Sequence, residues 1–200
     1  MSGPEVAAEK ARLRERFRAA RLALAAPARA EASARACERA LAELAAGPGD
    51  VVALYWPLVA RGELDVRPLA EALLARGAGV ALPATGAGGR MTMRRWRGEP
   101  LAKARWGLRE PAADAERVPP SALAAVVLPG LAFGRDGSRL GWGAGFYDRY
   151  LAQTPARRVG VTFHATLADA LPAEAHDQTV DVVVTEREAI RTAQSSESAT

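Results

Sequence analysis

Residues Leu128–Tyr150 read LPGLAFGRDGSRLGWGAGFYDRY and follow a short, fully apolar segment, Ala124–Leu128. Such a segment is typical of a strand buried on both faces of a parallel sheet. The glycines that follow can adopt positive φ angles and direct backbone N–H groups towards one point. These glycines are Gly137, Gly141, Gly143 and Gly145. The run then enters a helix predicted near Gly145–Gln153, so the stretch predicts an α/β fold with an anion site beyond the end of a strand.

The spacing of these glycines matches neither common nucleotide-binding motif. No Gly-Lys-Ser/Thr follows Gly141, as a Walker A loop requires, and the spacing differs from GxGxxG. Alternating glycines alone are also typical of a tight turn or a bulge. A phosphate site is favoured because a strand end, a helix start and two guanidinium groups, those of Arg135 and Arg139, coincide here.

The flanking segments predict a three-layer α/β/α domain with a mostly parallel sheet. The helix Val66–Arg76 lies between two apolar strands and completes one βαβ crossover. Gly98–Pro120 is rich in proline, glycine and charge and indicates a long surface excursion. We expect one domain over residues 1–192 and a disordered tail at 193–200. The remaining predicted strands are Val51–Trp56, Gly79–Leu82, Met91–Trp96 at an edge, Arg158–Thr162 and Val180–Thr185.

Two helices, Glu5–Leu24 and Arg29–Ala46, are predicted to form a hairpin ahead of the sheet. The first carries a narrow apolar stripe with a row of basic residues beside it. The stripe consists of Val6, Leu13, Phe17, Ala20 and Leu24, and the basic row of Lys10, Arg14, Arg18 and Arg21. These cations could bind an anionic ligand, or they could be solvated helix charges.

Composition limits the class of protein. The chain has 200 residues, of which 49% are hydrophobic and 25% charged, which are values of globular rather than disordered proteins. No apolar run approaches the roughly 20 residues that a membrane span needs. The one cysteine, Cys37, cannot form an internal disulfide, so we expect a cytoplasmic protein and interpret Cys37 as a small buried residue. The net charge of +4 is compatible with anionic ligands.

The glycine stretch also resembles the signature of the 5-formyltetrahydrofolate cyclo-ligase family, whose members are also called methenyltetrahydrofolate synthetases. The resemblance continues, in the same order, through several separated motifs. They are Lys10-x-x-x-Arg14, Trp56-Pro57, Gly62-Glu63-Leu64-Asp65, Val80-Ala-Leu-Pro83, Met91–Trp96, Trp106–Pro111, Leu171-Pro172 and His176-Asp177. The resemblance implies a fold of the NagB/RpiA/CoA transferase type.

The resemblance also implies a reaction. In this family, ATP drives an irreversible ring closure of 5-formyltetrahydrofolate to 5,10-methenyltetrahydrofolate, with release of ADP and phosphate. The formyl oxygen attacks the γ-phosphoryl group, N10 then attacks the activated carbon, and phosphate leaves. Phosphoryl transfer depends mainly on positioning and charge neutralisation. The expected ligands are therefore ATP, Mg²⁺ and a formyl folate, which could carry a polyglutamate tail, with no nucleic acid or membrane partner and a monomeric chain.

By the resemblance, Lys10 and Arg14 hold the ATP phosphates, and Arg139 and Tyr147 are the candidate catalytic residues. The nucleotide is expected to contact Arg139, Leu140, Gly141, Trp142, Gly143, Ala144, Gly145, Phe146 and Tyr147. The folate is expected to contact Trp56, Glu63, Trp142, Gly143, Ala144, Gly145 and Phe146. From sequence alone, a residue such as Trp56 is more often a core aromatic residue, and one such as Glu63 is more often a solvated loop charge.

Asp148 and Asp177 are the candidate Mg²⁺ ligands, because hard oxygen ligands suit that ion. Their alternatives are a helix first-turn acid and a turn residue, and Asp181 is a third candidate. Some relatives carry basic residues where Trp142 and Ala144 stand here. Phosphate binding is therefore expected to depend on backbone N–H groups, Arg139 and Lys10.

Two other functions stay open at this point. One is a non-catalytic paralogue that binds nucleotide or RNA through its basic helix, and the other is an ATP-dependent enzyme that acts on another heterocycle.

Overall fold

A computed structural model of the chain describes residues 3–86 and 90–192. Its helices are α1 Gly3–Ala23, α2 Ala26–Leu44, α3 Arg67–Ala75 and α4 Phe146–Leu151. Its strands are β1 Val51–Ala53, β2 Gly79–Thr85, β3 Met91–Trp96, β4 Ala102–Lys103, β5 Arg109–Glu110, β6 Arg117–Val118, β7 Ala125–Leu128, β8 Ala132–Gly134, β9 Arg139–Leu140, β10 Arg157–Val161, β11 Leu167–Ala168, β12 Val182–Val184 and β13 Ala189–Arg191. None of the described helices is both long and apolar enough to cross a membrane.

The main sheet has eight strands in the order β13-β12-β10-β7-β1-β2-β3-β6. The five central strands are parallel, and the outer pairs are antiparallel. At its centre, Val52 lies opposite Val80 on one side and Ala125 on the other. The mostly parallel sheet and the βαβ crossover around α3 confirm the predicted fold class.

Both faces of the main sheet are covered, which explains why its central strands are apolar throughout. On one face, Val52 and Val127 pack with residues of α2 and α3, such as Ala36 and Leu69. On the other face, alternate strand residues such as Val126 pack against α4 and β8. The domain therefore has three layers.

The first half of the glycine stretch forms strands that the sequence did not predict. β8 and β9 pair antiparallel around Gly137, where φ is 89°, and β11 joins β8 to complete a small three-stranded sheet. Helix α1 packs on this sheet through Leu13 and Phe17, which contact an apolar cluster that includes Leu131 and Leu140. The small sheet is therefore what positions α1 beside the glycines.

Three boundaries differ from the prediction. β3 is not an edge strand, because β6 pairs with its outer side. The first strand ends at Ala53 rather than Trp56, since the chain leaves the sheet to form the turn that ends at Gly62. The excursion 98–120 carries the β4–β5 hairpin and β6 rather than only surface loop. One domain over 1–192 stays a prediction, and the tail 193–200 lies outside the described residues.

Candidate active site

A cavity of about 410 Å³ lies beyond the carboxyl ends of β1, β2 and β7. This is the position at which open α/β sheets bind ligands. Its walls come from α1, the β1 turn, the β4–β5 hairpin, the glycine stretch and the segment 174–177. Every residue that the resemblance assigns to ATP, folate or Mg²⁺ lines this one cavity. Arg135, the second guanidinium group expected near the phosphates, is not part of the lining and pairs with Glu188 at 2.7 Å instead.

Lys10 points from α1 into a pair of carboxylates at one end of the cavity. Its ammonium group lies 2.5 Å from Asp177 Oδ2 and 2.7 Å from Glu174 Oε2, and the residue is only 5% exposed. Burial lowers the pKa of Lys10, but the hydrogen bonds to Asp177 and Glu174 outweigh it and raise that pKa above 10.5. Lys10 lies within the buried stripe of α1 rather than beside it, because the two carboxylates compensate its buried charge.

Arg14 lies one helical turn further along α1 and contacts the glycine turn. Its Nε–H donates to the carbonyl of Gly141 at 3.0 Å. Gly143 and Gly145 have φ angles of 96° and 64°, which side chains rarely allow. A Cβ atom at Gly143 would lie 3.4 Å from the guanidinium carbon of Arg14. The guanidinium group of Arg14 therefore lies directly against the backbone of Gly143, which has no side chain to separate the two.

Arg139 lines the cavity between the glycine turn and α4. Its Nη2 donates to Asp148 Oδ1 at 2.6 Å, and its guanidinium carbon lies 5.8 Å from the centre of the Tyr147 ring. Its Nε has no hydrogen-bond partner within the described part of the chain. Burial raises the pKa of Tyr147, and the nearby charge of Glu63 adds to that effect. Tyr147 is therefore a neutral hydroxyl group in this cavity.

Glu63 and Trp56 lie on the wall formed by the β1 turn. Glu63 is 8% exposed and is therefore not a solvated loop charge. Its Oε2 accepts the Leu58 N–H at 2.8 Å, and its Oε1 accepts the indole N–H of Trp142 at 3.2 Å. Trp56 packs edge-on against Trp96, with ring centroids 5.3 Å apart, and another part of it faces the cavity. Trp56 is thus both a core neighbour and a cavity residue.

Potential metal ligands gather at the Lys10 end of the cavity. Within the described residues, Glu174, His176 and Asp177 offer ligand atoms that all lie within 4.8 Å of one another. Burial raises the pKa of Asp177, but the hydrogen bonds from Lys10 and from the Glu174 N–H hold it below 3.8. Asp148 is outside that group, although the N–H of Gln178, next to Asp177, donates to its Oδ1 at 3.3 Å.

Asp181, the third metal candidate, lies elsewhere, and so does the histidine His164. Asp181 precedes β12 at the amino end of the parallel strands and accepts the N–H of Arg158 at 2.7 Å. His164 follows β10 and lies 3.5 Å from Glu188, outside the cavity lining. His176 does line the cavity, with a side chain that is 74% exposed.

Sequence reasoning missed Glu174, Trp106 and Arg109 as cavity residues. Glu174 meets Lys10 across 164 residues of sequence, so no local pattern marks it. Trp106 is 59% exposed, has a φ of 59°, and faces the Phe146 ring at a centroid distance of 6.2 Å. Trp106 and Gly107 both have positive φ, and Gly107 was the one local signal of a turn at this position.

Comparison with known proteins agrees with this geometry. The sequence model of the 5-formyltetrahydrofolate cyclo-ligase family matches residues 6–186 of this chain. The chain belongs to the 5-formyltetrahydrofolate cyclo-ligase family. This confirms the resemblance seen in the glycine stretch and in the separated motifs.

Individual relatives in the cyclo-ligase family cover different shares of the chain. A 5-formyltetrahydrofolate cyclo-ligase of Mycolicibacterium smegmatis is 36% identical over 138 residues, which are 64% of this chain and 64% of that protein. The Escherichia coli enzyme of the same name is 36% identical over 62% of this chain and 72% of its own length. The solved structure of Aquifex aeolicus 5,10-methenyltetrahydrofolate synthetase has a TM-score of 0.80 and 31% identity, and the match covers 92% of this chain and 93% of that one.

Proposed function

We propose that this protein converts 5-formyltetrahydrofolate to 5,10-methenyltetrahydrofolate at the expense of ATP, releasing ADP and phosphate. The observation that carries the proposal is that one cavity brings three cations, Lys10, Arg14 and Arg139, together with Trp56 and the buried Glu63. Membership of the cyclo-ligase family fits this combination.

The nucleotide would lie along the glycine turn. Arg14 is held against Gly141 and Gly143, so its guanidinium group can meet phosphate oxygens together with backbone N–H groups of the turn. Trp142 and Ala144 carry no charge, and Arg14, Lys10 and Arg139 therefore supply the positive potential. Phosphoryl transfer requires that potential more than it requires a covalent group on the protein.

The folate would lie against Trp56 and Glu63. A carboxylate can accept paired N–H donors, as a pterin edge offers, and each oxygen of Glu63 keeps a second lone pair after binding Leu58 and Trp142. An indole face such as that of Trp56 can pack on a flat heterocycle. Held by these two residues, the folate would present its formyl oxygen to the terminal phosphate in the same cavity.

Mg²⁺ fits the donor set, because carboxylate oxygens are the ligands it prefers. We propose that Asp177 and Asp148 hold it, with Glu174 close by. When bound, the ion would neutralise part of the charge on the phosphates. Lys10 and Arg139 are now ion-paired with these carboxylates, so both are placed to exchange a carboxylate for a phosphate oxygen.

The reaction would then need only positioning and exclusion of water. Arg139 would face the charge that develops on the transferred phosphoryl group, and Tyr147 would donate a hydrogen bond as a neutral hydroxyl. N10 of the folate would attack the formyl carbon and lose its proton to the departing phosphate or to water, and the carbon–oxygen bond would break as phosphate departs. No general base is required for the phosphoryl step.

We further propose that the protein works as a cytoplasmic monomer on free folates, with or without a polyglutamate tail. The free, buried thiol of Cys37 is compatible with a reducing compartment.

The test is a near-ultraviolet absorbance assay for the methenyl product, run with purified protein, 5-formyltetrahydrofolate and Mg²⁺, with and without ATP. The proposal expects absorbance to rise only when ATP is present. Asp148→Asn should raise the Mg²⁺ concentration needed for half-maximal rate, and full activity at limiting Mg²⁺ would refute the metal assignment. Protein that binds both substrates yet never forms the chromophore would refute the function.

A further inference from the structure

Arg21 is a buried cation that none of the roles above uses. It lies on α1 and is 3% exposed. Its Nη2 donates to the carbonyl of Gly130, just beyond β7, while Nε and Nη1 have no hydrogen-bond partner in the described part of the chain. A guanidinium group buried with unfilled donors is costly, so its place needs a compensating interaction.

The compensating charge is that of Glu63. Burial lowers the pKa of Arg21, and the charge of Glu63 opposes this effect, followed by the Tyr55 side chain. Arg21, Glu63 and Tyr55 also line a small space of about 10 Å³, together with Gly130. Glu63 itself is 8% exposed, so little bulk water lies between the two charges.

Arg21 also supports the turn that carries Glu63. Gly62 has a φ of 74°, and a Cβ atom there would lie 3.2 Å from Cγ of Arg21 and 3.3 Å from its Cδ. The aliphatic part of Arg21 therefore packs directly under the turn, while its guanidinium group holds the end of β7. Gly62, the residue before Glu63, and the strand end beneath the cavity therefore both contact one side chain.

The same helix face carries the proposed nucleotide contact. Lys10 and Arg21 are both buried residues of α1, eleven positions or about three turns apart, which places them on one face. Helix α1 thus lines the cavity with Lys10, while Arg21 lies outside the cavity lining and behind the turn that carries Glu63.

We propose that Arg21 is a positioning residue for the folate: it acts through Glu63, whose carboxylate it holds in place and whose negative charge it balances. The proposal rests on the proposed function, because it takes Glu63 as a folate contact. It states that a positive charge at position 21 is needed for folate affinity and far less for nucleotide affinity.

The test compares Arg21→Met, Arg21→Lys and the control Arg18→Met. Arg18 is exposed, lies three residues earlier on α1 and is not part of the cavity lining. Titration calorimetry measures the dissociation constants for 5-formyltetrahydrofolate alone and for a non-hydrolysable ATP analogue with Mg²⁺. Thermal unfolding of each variant is recorded in parallel to show that it is folded.

We expect Arg21→Met to weaken folate binding by about tenfold, a size typical of one charge interaction in a partly buried site, and the ATP analogue by less than about threefold. Arg21→Lys should recover most of the folate affinity, because it restores the charge and a donor for Gly130. Arg18→Met should bind both ligands like the wild type.

Two results would overturn the proposal: a folded Arg21→Met protein with wild-type folate affinity, or equal loss of both affinities that Arg21→Lys does not repair. If Arg21→Met is too unstable to measure, Arg21→Lys is compared with the wild type instead. A folded Arg21→Lys protein that has lost its folate affinity would contradict the charge argument. Wild-type protein that binds no folate would refute the proposed function itself, whereas a folate-binding wild type with an unaffected Arg21→Met refutes only the role of Arg21.

Discussion

Replacing Lys10 by Met tests the ion-paired end of the cavity. The substitution keeps the length of the side chain and removes its charge. It leaves Asp177 and Glu174 without the cation that now lies 2.5 and 2.7 Å from their oxygens. The chain has only one other lysine, the exposed Lys103 on β4, so Lys103→Met is a matched control.

The expected size of the effect follows from burial. Removing one partner of a fully buried ion pair costs about 3–5 kcal/mol, and exposed pairs contribute about 0–1 kcal/mol. The Lys10 side chain is 7% exposed, but those of Asp177 and Glu174 are 19% and 32% exposed, so water can solvate the abandoned carboxylates in part. We therefore expect Lys10→Met to lower the free energy of unfolding by about 1–3 kcal/mol.

The pH dependence has a definite sign. The lowered pKa of Asp177 gives stability that is present above pH 3.8 and is lost as the pH falls through its value in the folded protein. The raised pKa of Lys10 gives stability that is present below pH 10.5 and is lost only at more alkaline pH. The difference between wild type and Lys10→Met should therefore be constant from about pH 5 to 9 and shrink below about pH 4.

The assay is urea unfolding followed by tryptophan fluorescence at several pH values, combined with a double-mutant cycle. Asp177→Asn should lower the free energy of unfolding of the Lys10→Met protein much less than that of the wild type, with a coupling energy of about 1–2 kcal/mol between the two substitutions. Lys103→Met should be neutral. Additive effects of Lys10→Met and Asp177→Asn, or a stability difference that persists unchanged at pH 3, would refute this account of the pair.

Three further predictions concern other parts of the chain. Glu63→Gln should raise KM for 5-formyltetrahydrofolate by about tenfold or more, as expected for a lost charge-assisted hydrogen bond, with little change in KM for ATP. The exposed Glu71→Gln is the control and should leave both KM values unchanged. Steady-state kinetics that show an equal rise in KM for both substrates would contradict the assignment of Glu63 to the folate. Gly143→Ala and Gly98→Ala should each cost about 1–2 kcal/mol of stability because both positions have positive φ. Only Gly143→Ala, next to Arg14, should also raise KM for ATP, and a matching rise in Gly98→Ala would refute the local explanation. Burial raises the pKa of Cys37 to about 12. Its thiol should therefore stay protonated and unreactive towards a disulfide reagent at pH 8 until urea unfolds the protein. Fast labelling of the native protein, or loss of activity in Cys37→Ala, would show that Cys37 is not merely a buried packing residue.

The sequence predicted the central strands because each contains a short run of apolar residues buried on both faces. β7 and the crossover from β1 through α3 to β2 followed from apolar runs bounded by glycine and proline. The sequence did not predict β8, β9 and β11, which have only two or three residues each. Strands this short are defined by their pairing partners rather than by their own residue pattern.

The gathering of the site residues could be predicted only through the resemblance to a family. Periodicity placed Lys10 beside an apolar stripe, but its burial depends on Asp177 and Glu174, more than 160 residues away. The burial of Glu63 likewise depends on Trp142 and on Arg21 beneath its turn. Contacts between distant segments carry no local signature, so these partners became visible only in the folded chain.

The central claim is that this cavity brings the formyl oxygen of a folate to the terminal phosphate of ATP. The most direct measurement uses 5-formyltetrahydrofolate labelled with ¹⁸O in the formyl group and follows the label by mass spectrometry of the released phosphate. The account predicts one labelled oxygen in phosphate for each methenyl product formed, together with one ADP. Methenyl product accompanied by unlabelled phosphate would contradict it.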